Sequence, residues 1–184
     1  MSDDPSMSQA LLVIDVQHAL CNGRWAMSGI EHVIPRINAV IAKARAAGAP
    51  VVFVQHENEH LVPGSEEWQL DARLDAREGD LRVRKTTSDS FHHTALQAEL
   101  DARGVDALIV SGLQSDFCVD ATVRRALALG YPITLVADGH ATMDNEVLAA
   151  AQIVAHHNTT LANMDSYGPR ARVRLVPAAE VAIS

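Results

Sequence analysis

Apolar residues recur along the chain in short runs and in helical patterns, and the two kinds alternate. Runs typical of buried parallel strands occupy residues 9–16, 50–54, 107–110 and 132–137, and a more polar strand is predicted over 80–86. Helical spacing of apolar side chains predicts helices over 30–47, 94–103, 118–129 and 146–157. A short sixth strand is expected either near 160–162 or at 173–176.

This alternation predicts the fold class. Strands joined by helices of these lengths form a parallel sheet with right-handed crossovers. We therefore predict an α/β fold: a single doubly wound, Rossmann-like domain with a central, mainly parallel sheet of about six strands and helices on both faces. Residues 9–184 are expected to form this domain, and the polar, acidic residues 1–8 a disordered leader.

Three segments show neither pattern and are predicted to be irregular: residues 18–28, 58–79 and 138–144. The second has room for one helical turn, and long excursions of this kind in compact domains are often functional. Side chains from the first two segments are expected to decide which substrate binds.

Composition narrows the range of partners and compartments. The formal net charge of −8 leaves no general basic surface, which argues against nucleic acid and anionic membranes as partners. No stretch approaches the ~20 apolar residues of a membrane span. Two cysteines without a secretion signal are typical of a reducing compartment. We therefore expect a cytoplasmic protein whose partner is a small-molecule substrate.

Three reactive side chains stand where separate predicted strands end. Asp15 closes the first strand, Lys85 lies near the end of the third, and Cys118 follows the fourth at the first turn of a helix. Because the carboxyl ends of parallel strands share one edge of a sheet, we expect one crevice to hold all three. Backbone N–H groups and the helix dipole are expected to stabilise a thiolate at Cys118 and an oxyanion beside it.

Each of these residues has a chemical role and an ordinary structural alternative. Cys118 can attack a carbonyl carbon, Asp15 can act as general base and acid, and Lys85 can hold both in their charged forms. Taken singly, Asp15 can instead cap a turn, Lys85 can be a solvated charge, and Cys118 can be a small core residue. Their joint occurrence at three strand ends favours the catalytic interpretation.

Four motifs follow one another along the chain. They are Leu11-Leu12-Val13-Ile14-Asp15-Val16-Gln17, Val52-Phe53-Val54-Gln55-His56-Glu57, Lys85-Thr86-Thr87-Ser88-Asp89-Ser90-Phe91 and Ser111-Gly112-Leu113-Gln114-Ser115-Asp116-Phe117-Cys118-Val119. In this order and spacing the chain resembles the isochorismatase-like cysteine hydrolases. That family includes nicotinamidases, N-carbamoylsarcosine and ureidoacrylate amidohydrolases, biuret hydrolase and streptothricin hydrolase. The resemblance covers nearly the whole chain after the leader.

The resemblance implies a catalytic triad of Asp15, Lys85 and Cys118 that works without a cofactor. It also implies a cis peptide bond between Leu113 and Gln114, which turns the backbone N–H of Gln114 toward the oxyanion, alongside that of Cys118. The implied enzyme is a cysteine amidohydrolase that cleaves an amide or ureido-type C–N bond of a small molecule through a thioester. Family members form dimers and larger assemblies, so a homo-oligomer is expected by resemblance.

Five side chains are candidates for binding the substrate: Gln17, Trp25, His56, Trp68 and Phe91. Trp25 and Trp68 lie in irregular segments, where they either wall the pocket or pack their own loops. His56 is expected to be a polar wall of the pocket.

One motif departs from the metal-binding members of the family. Nicotinamidases carry an Asp-x-His for a divalent metal after the second strand, whereas this chain has Gln55-His56-Glu57, with His60 beyond. We therefore expect no metal. Two alternatives stay open: a metal-assisted, nicotinamidase-like enzyme that uses His56 and His60, and a catalytically silent homologue that binds a small ligand or senses redox state. Dinucleotide binding is disfavoured, because no Gly-x-Gly-x-x-Gly follows the first strand.

Overall fold

The computed structural model describes residues 7–184. Residues 1–6 of the predicted leader lie outside the described residues. Among residues 7–184, the backbone carbonyl of Ser8 accepts hydrogen bonds from the N–H groups of Asp106 (2.9 Å) and Ala107 (3.2 Å). Ser8, the residue before the first strand, is therefore already hydrogen-bonded to the neighbouring segment of the sheet.

The described residues contain one six-stranded sheet, which confirms the predicted fold class. Its strands are β1 (Gln9–Ile14), β2 (Val51–His56), β3 (Leu81–Lys85), β4 (Ala107–Leu113), β5 (Ile133–Ala141) and β6 (Val173–Val176). Their spatial order is β3-β2-β1-β4-β5-β6, and every neighbouring pair is parallel. The winding direction reverses between β1 and β4, which is where open α/β sheets place their ligands.

Five helices occur among residues 7–184: α1 (His18–Cys21), α2 (Ile30–Ala46), α3 (Leu96–Asp101), α4 (Asp120–Ala128) and α5 (Ala150–Ala162). Helix α2 packs on one face of the sheet with Leu11 and Val13 of β1. Helices α3, α4 and α5 pack on the other face with Leu12 and Ile14. Successive side chains of β1 point to opposite faces, and those from Ala10 to Ile14 are all buried, which explains why this run is continuously apolar. Within 7–184, no helix combines the length and apolar character required to cross a bilayer.

Strand β4 continues through Ser111 and Gly112, where the sequence predicts a break. Both residues stay in the strand because they pair with Val13 and Ile14 of β1. A Cβ atom on Gly112 would lie 2.1 Å from the carbonyl oxygen of Ile14, and the φ of Gly112 is +123°. Glycine therefore extends the strand here by allowing the close approach of two backbones.

Strand β5 also extends past its apolar run. His140 and Ala141, predicted to be in a loop, pair instead with Gly112 and Leu113 of β4, after a bulge in the ladder. The sixth strand lies at 173–176, the second of the two predicted positions, because residues 160–162 belong to α5. The ends of these strands depend on hydrogen bonds to a neighbouring strand, and the spacing of apolar residues does not show where those hydrogen bonds form.

Three helices start later than predicted, and the first of them, α3, begins at Leu96 rather than at 94. Helix α5 begins at Ala150 rather than at 146, because the Asp144 side chain accepts the N–H of Ala150 (2.8 Å) and keeps the preceding residues in a loop. Helix α4 begins at Asp120, and a π-helical turn (Ser115–Val119) precedes it. Cys118 therefore lies in that turn, just ahead of the helix.

The first two irregular segments differ in how much structure they contain. Residues 18–28, predicted to be a loop, include α1 and a 3₁₀ turn at Gly23–Trp25. Residues 58–79 contain no helix, and one isolated bridge joins Leu70 to Gln17. Both segments lie over the carboxyl edge of the sheet and supply walls to the site described below.

Candidate active site

Asp15, Lys85 and Cys118 meet at the carboxyl edge of the sheet. Asp15 follows β1 directly, Lys85 is the last residue of β3, and Cys118 lies in the turn between β4 and α4. Because the strands are parallel, residues distant in the sequence share one crevice, next to the point where the winding direction reverses.

The ammonium group of Lys85 is the centre of this cluster. Its Nζ lies 2.7 Å from Oδ2 of Asp15 and 3.2 Å from Sγ of Cys118. It also donates to Nδ1 of His56 (3.1 Å) and to the backbone carbonyl of Thr87 (3.0 Å). The Lys85 side chain is fully buried. A buried ammonium needs partners of this kind, and they hold it in one position.

Asp15 is positioned by its backbone as well as by Lys85. Its φ of 52° lies in the left-handed region, which costs a non-glycine residue on the order of 1 kcal/mol. Its N–H donates to the carbonyl of Val54 in β2 at 2.9 Å. Oδ2 is bound to Lys85, whereas Oδ1 is buried without a hydrogen-bond partner among the described residues. Oδ1 is therefore an acceptor that can take a proton from the thiol or from a bound molecule.

The surroundings of Cys118 favour the protonated thiol over the thiolate. Burial and the nearby Asp15 carboxylate raise its pKa to about 12, against the opposing effect of the Lys85 ammonium. The sequence predicts a stabilised thiolate instead, from the helix start and from the nearby Lys85. In the structure, burial and the close approach of the Asp15 carboxylate outweigh the effect of Lys85. Cys118 therefore has to pass its proton to a base as it attacks.

His56 borders the cluster as a neutral imidazole. Burial lowers its pKa, and the Lys85 ammonium lowers it further. Because an ammonium group only donates, Nδ1 of His56 is the acceptor of this hydrogen bond, and the ring proton is assigned to Nε2. The ring thus supports Lys85 without adding a second positive charge.

A cavity of about 210 Å³ opens over these groups. Its walls combine the polar cluster with apolar side chains from α1 and from the irregular segment after β2: Asp15, Leu20, His56, Asn58, Leu61, Ser88, Gln114, Phe117 and Cys118. Five of these residues are not predicted from the sequence: Leu20, Asn58, Leu61, Ser88 and Phe117. Ser88 and Phe117 at least lie within the quoted motifs, whereas the other three stand in segments without a readable pattern.

The predicted substrate-binding residues fall into two groups. His56 lines the cavity over Cys118, and Trp25 lines an adjoining cavity of about 200 Å³. Among the described residues that line these two cavities, Gln17, Trp68 and Phe91 do not occur.

Gln17, Trp68 and Phe91 lie outside the described walls of both cavities, so their role in substrate binding stays a prediction. The Gln17 amide donates to the backbone carbonyls of His56 (3.0 Å) and Trp68 (2.9 Å), and so ties the irregular segment to the sheet. Phe91 is buried and stacks on Tyr131, with ring centroids 6.2 Å apart. The Gln17 amide and the Phe91 ring thus have structural contacts of their own, which sequence motifs alone do not distinguish from substrate binding.

The peptide bond between Leu113 and Gln114 is cis. It joins β4 to the π-helical turn, whose first carbonyl, that of Gln114, accepts the N–H groups of Phe117 (3.2 Å) and Val119 (3.1 Å). Gln114 and Cys118 both line the cavity. The two residues expected to supply oxyanion-binding N–H groups are therefore on the same side of the site.

Buried polar residues brace the turn that carries Cys118. Oγ of Ser115 lies 2.7 Å from Nδ1 of His140, whose Nε2 lies 2.9 Å from Oδ1 of Asn158. Burial lowers the pKa of His140, so the ring is neutral. Thr142 donates to Asp116 at 2.5 Å. These contacts fix the turn to β5, to α5 and to the segment between them.

The cluster also contains potential metal ligands. Ligand atoms of Asp15, His56 and Cys118 lie within 4.8 Å of one another. Lys85 Nζ, however, lies within 3.2 Å of all three residues. A divalent cation among these atoms would be repelled by the ammonium group, so the set does not fit a metal while Lys85 is charged. His60, the other candidate ligand, is exposed and lies beside Glu59.

The sequence matches known proteins along most of its length. Residues 9–168 match a family model described as the isochorismatase domain. A streptothricin hydrolase of Streptomyces noursei is 42% identical over 142 residues, which cover 74% of this chain and 50% of that protein. The chain thus spans about half the length of this curated relative.

Two solved structures share the architecture. A crystal structure of an isochorismatase family protein is 38% identical, covers 85% of this chain and 94% of its own, and superposes with a TM-score of 0.82. N-carbamoylsarcosine amidase from Thermoplasma acidophilum is 25% identical and covers 95% of this chain and 99% of its own, with a TM-score of 0.78.

Proposed function

Because the isochorismatase domain model matches residues 9–168, this chain belongs to the isochorismatase family, and we propose that it is a cysteine hydrolase acting on a C–N bond of a small molecule. One observation carries the proposal: a buried ammonium joins a carboxylate and a thiol in the wall of a cavity. A binding protein needs no such set of groups. The names of the relatives, a streptothricin hydrolase and an amidase, support the same class of reaction.

In the proposed first step, Sγ of Cys118 forms a bond to the carbonyl carbon of an amide. Because the pKa of the thiol is raised to about 12, its proton passes to the Asp15 carboxylate as the bond forms. Lys85 stabilises the negative charge that moves between sulfur and carboxylate. The backbone N–H groups of Gln114 and Cys118 are the proposed donors to the developing oxyanion.

In the second step, the C–N bond breaks and Asp15 delivers its proton to the departing nitrogen. The amine leaves, and the acyl group stays on Cys118 as a thioester. Water then attacks the thioester while Asp15 takes its proton, the acid departs, and the thiol regains its proton. Lys85 keeps its proton throughout, and the net reaction consumes one water.

The thioester can be detected directly. A panel of small amides and ureido compounds is mixed with the protein, quenched with acid within milliseconds and measured by intact-mass spectrometry. We expect a mass increase equal to the acyl group, located on the peptide containing Cys118, in the wild type and in Cys21→Ser. Cys118→Ala is expected to show neither the adduct nor hydrolysis. Hydrolysis by Cys118→Ala at the wild-type rate would exclude the proposed nucleophile.

A further inference from the structure

A second cavity, with mainly apolar walls, adjoins the cavity over Cys118. This apolar lobe, of about 200 Å³, is lined by Ala19, Leu20, Trp25, Met27, Asn58, His60, Leu61, Gln114 and Met143. It shares four wall residues with the cavity over Cys118: Leu20, Asn58, Leu61 and Gln114. Because the two spaces share these walls, a molecule whose carbonyl faces Cys118 can extend into the lobe.

In the part of the chain that the structure describes, the basic side chains in the walls of the two cavities are the imidazoles of His56 and His60. Among the described residues, no lysine or arginine lines the apolar lobe or the cavity over Cys118. Lys85 lies behind the wall and already has four partners. Arg24, next to Trp25 in the sequence, places its guanidinium 4.6 Å from the centroid of the Trp25 ring and is not a wall residue. The carboxylate that does line the cavity, Asp15, disfavours an anion nearby.

The apolar lobe contains exposed apolar surface that a bound molecule can cover. Trp25 is 54% exposed, although it stands in the same wall as the buried side chains of Leu61 and Met27. An apolar group placed against this ring removes two apolar surfaces from water at once. The gain grows with the apolar area of the group, until the lobe is filled.

We propose that the substrate is an uncharged amide carrying an apolar group, whose amide faces Cys118 while the apolar group packs against Trp25 and Met27 in the apolar lobe. This inference rests on the proposed function for the reaction type, and it adds the chemical class of the substrate. It disfavours amides and ureido compounds that carry a carboxylate, because such a group would enter the site without a counter-ion.

Two homologous series of amides test this inference. One series is lengthened on the acyl side, from acetamide to hexanamide, and the other on the nitrogen side, from N-methylacetamide to N-pentylacetamide. In at least one series we expect kcat/KM to rise about three- to fourfold per added methylene, up to the size of the lobe. Adipamate, which has the six carbons of hexanamide and a terminal carboxylate, is expected to be at least about a hundredfold poorer.

Substitutions in and near the apolar lobe show which side chain causes the rise in kcat/KM with chain length. Trp25→Ala is expected to flatten the rise with chain length. Trp25→Phe should restore most of the rise, and Val62→Ala, an exposed apolar residue outside both cavities, should retain all of it. Arg24→Gln should leave the discrimination against adipamate unchanged. A flat profile in both series, or a preference for adipamate that Arg24→Gln removes, would overturn the inference.

Calorimetry on Cys118→Ser separates this inference from the reaction itself. Hexanamide is expected to bind more tightly than adipamate, and Trp25→Ala in the same background should remove most of that difference. If the wild type hydrolyses no amide but this binding preference holds, the proposed reaction fails and the ligand class stands. If adipamate is hydrolysed and bound as well as hexanamide, the reaction stands and the ligand class fails.

Discussion

Replacing Asp15 by asparagine is expected to change two properties of Cys118 in opposite directions. Asp15 is the second-largest cause, after burial, of the raised pKa of the thiol. Its removal should therefore make the thiol easier to ionise, and Lys85, freed of its carboxylate partner, should favour the thiolate further. At the same time the variant loses the base that accepts the thiol proton during attack. We expect faster alkylation and slower hydrolysis.

The expected alkylation rates follow from the ordinary pKa of a cysteine thiol, 9.0, and from the raised pKa of Cys118, about 12. A rise from 9.0 to about 12 lowers the thiolate fraction in neutral solution about a thousandfold, so Cys118 of the wild type should react with iodoacetamide about a thousandfold more slowly than an ordinary thiol. Removing a like-signed charge a few ångströms away lowers a pKa by about one unit or more, so Asp15→Asn should react at least about tenfold faster than wild type. Its hydrolysis rate should fall by about a hundredfold to ten-thousandfold.

The assay follows alkylation of each cysteine by peptide mapping from pH 6 to pH 10. Cys21 is an internal reference, because burial also raises its pKa to about 12, and its charged neighbours Asp71 and Arg73 are intact in the variant. Asp116→Asn is the matched control: it removes a carboxylate two residues from Cys118 that is not among the main causes of the raised pKa. Slower alkylation of Cys118 in Asp15→Asn would show that the carboxylate favours the thiolate, and would refute the reasoning.

Three further outcomes are expected. Lys85→Met should abolish hydrolysis and lower the free energy of unfolding by about 3–5 kcal/mol in urea titrations, because it leaves the buried Asp15 carboxylate unpaired. The double variant Lys85→Met, Asp15→Asn should regain stability but not activity. Equal stability of the single and the double variant would contradict this reasoning. Gly112→Ala should lower the same free energy by about 3 kcal/mol, because its Cβ would lie 2.1 Å from Ile14 O at a φ of +123°, whereas Gly79→Ala, with open space around it, should change it by less than about 0.5 kcal/mol. The folded-state pKa of His140 is lowered, so its contribution to stability is complete above pH 6.5 and is lost as the pH falls below that value, by up to about 1.4 kcal/mol per pH unit. Urea titrations between pH 5 and pH 8 should therefore show a shallower loss in His140→Gln than in wild type, and identical slopes would count against the buried neutral ring.

The sequence by itself determined the architecture and the edge of the sheet at which the site lies. The run from Ala10 to Ile14 is apolar at every position because both faces of β1 are covered, and that pattern identifies a buried parallel strand without further information. Asp15 and Lys85 could be recognised as candidates because each closes a predicted strand, and parallel strands place their carboxyl ends at the same edge of the sheet. The order of the four motifs similarly sufficed to suggest the family.

Tertiary structure alone decided the chemistry and the shape of the site. The protonated state of Cys118 depends on burial and on its distance from a carboxylate far away in the sequence, and local spacing carries neither quantity. The same holds for Phe91, which packs in the core although it stands in a motif, and for Leu20 and Leu61, which form cavity walls although they stand in segments without periodicity. Helix α5 starts where the Asp144 side chain meets an N–H group, not where apolar spacing begins. Periodicity reports which face of an element is buried, whereas pKa values, cavity walls and strand ends depend on what lies across the remaining space.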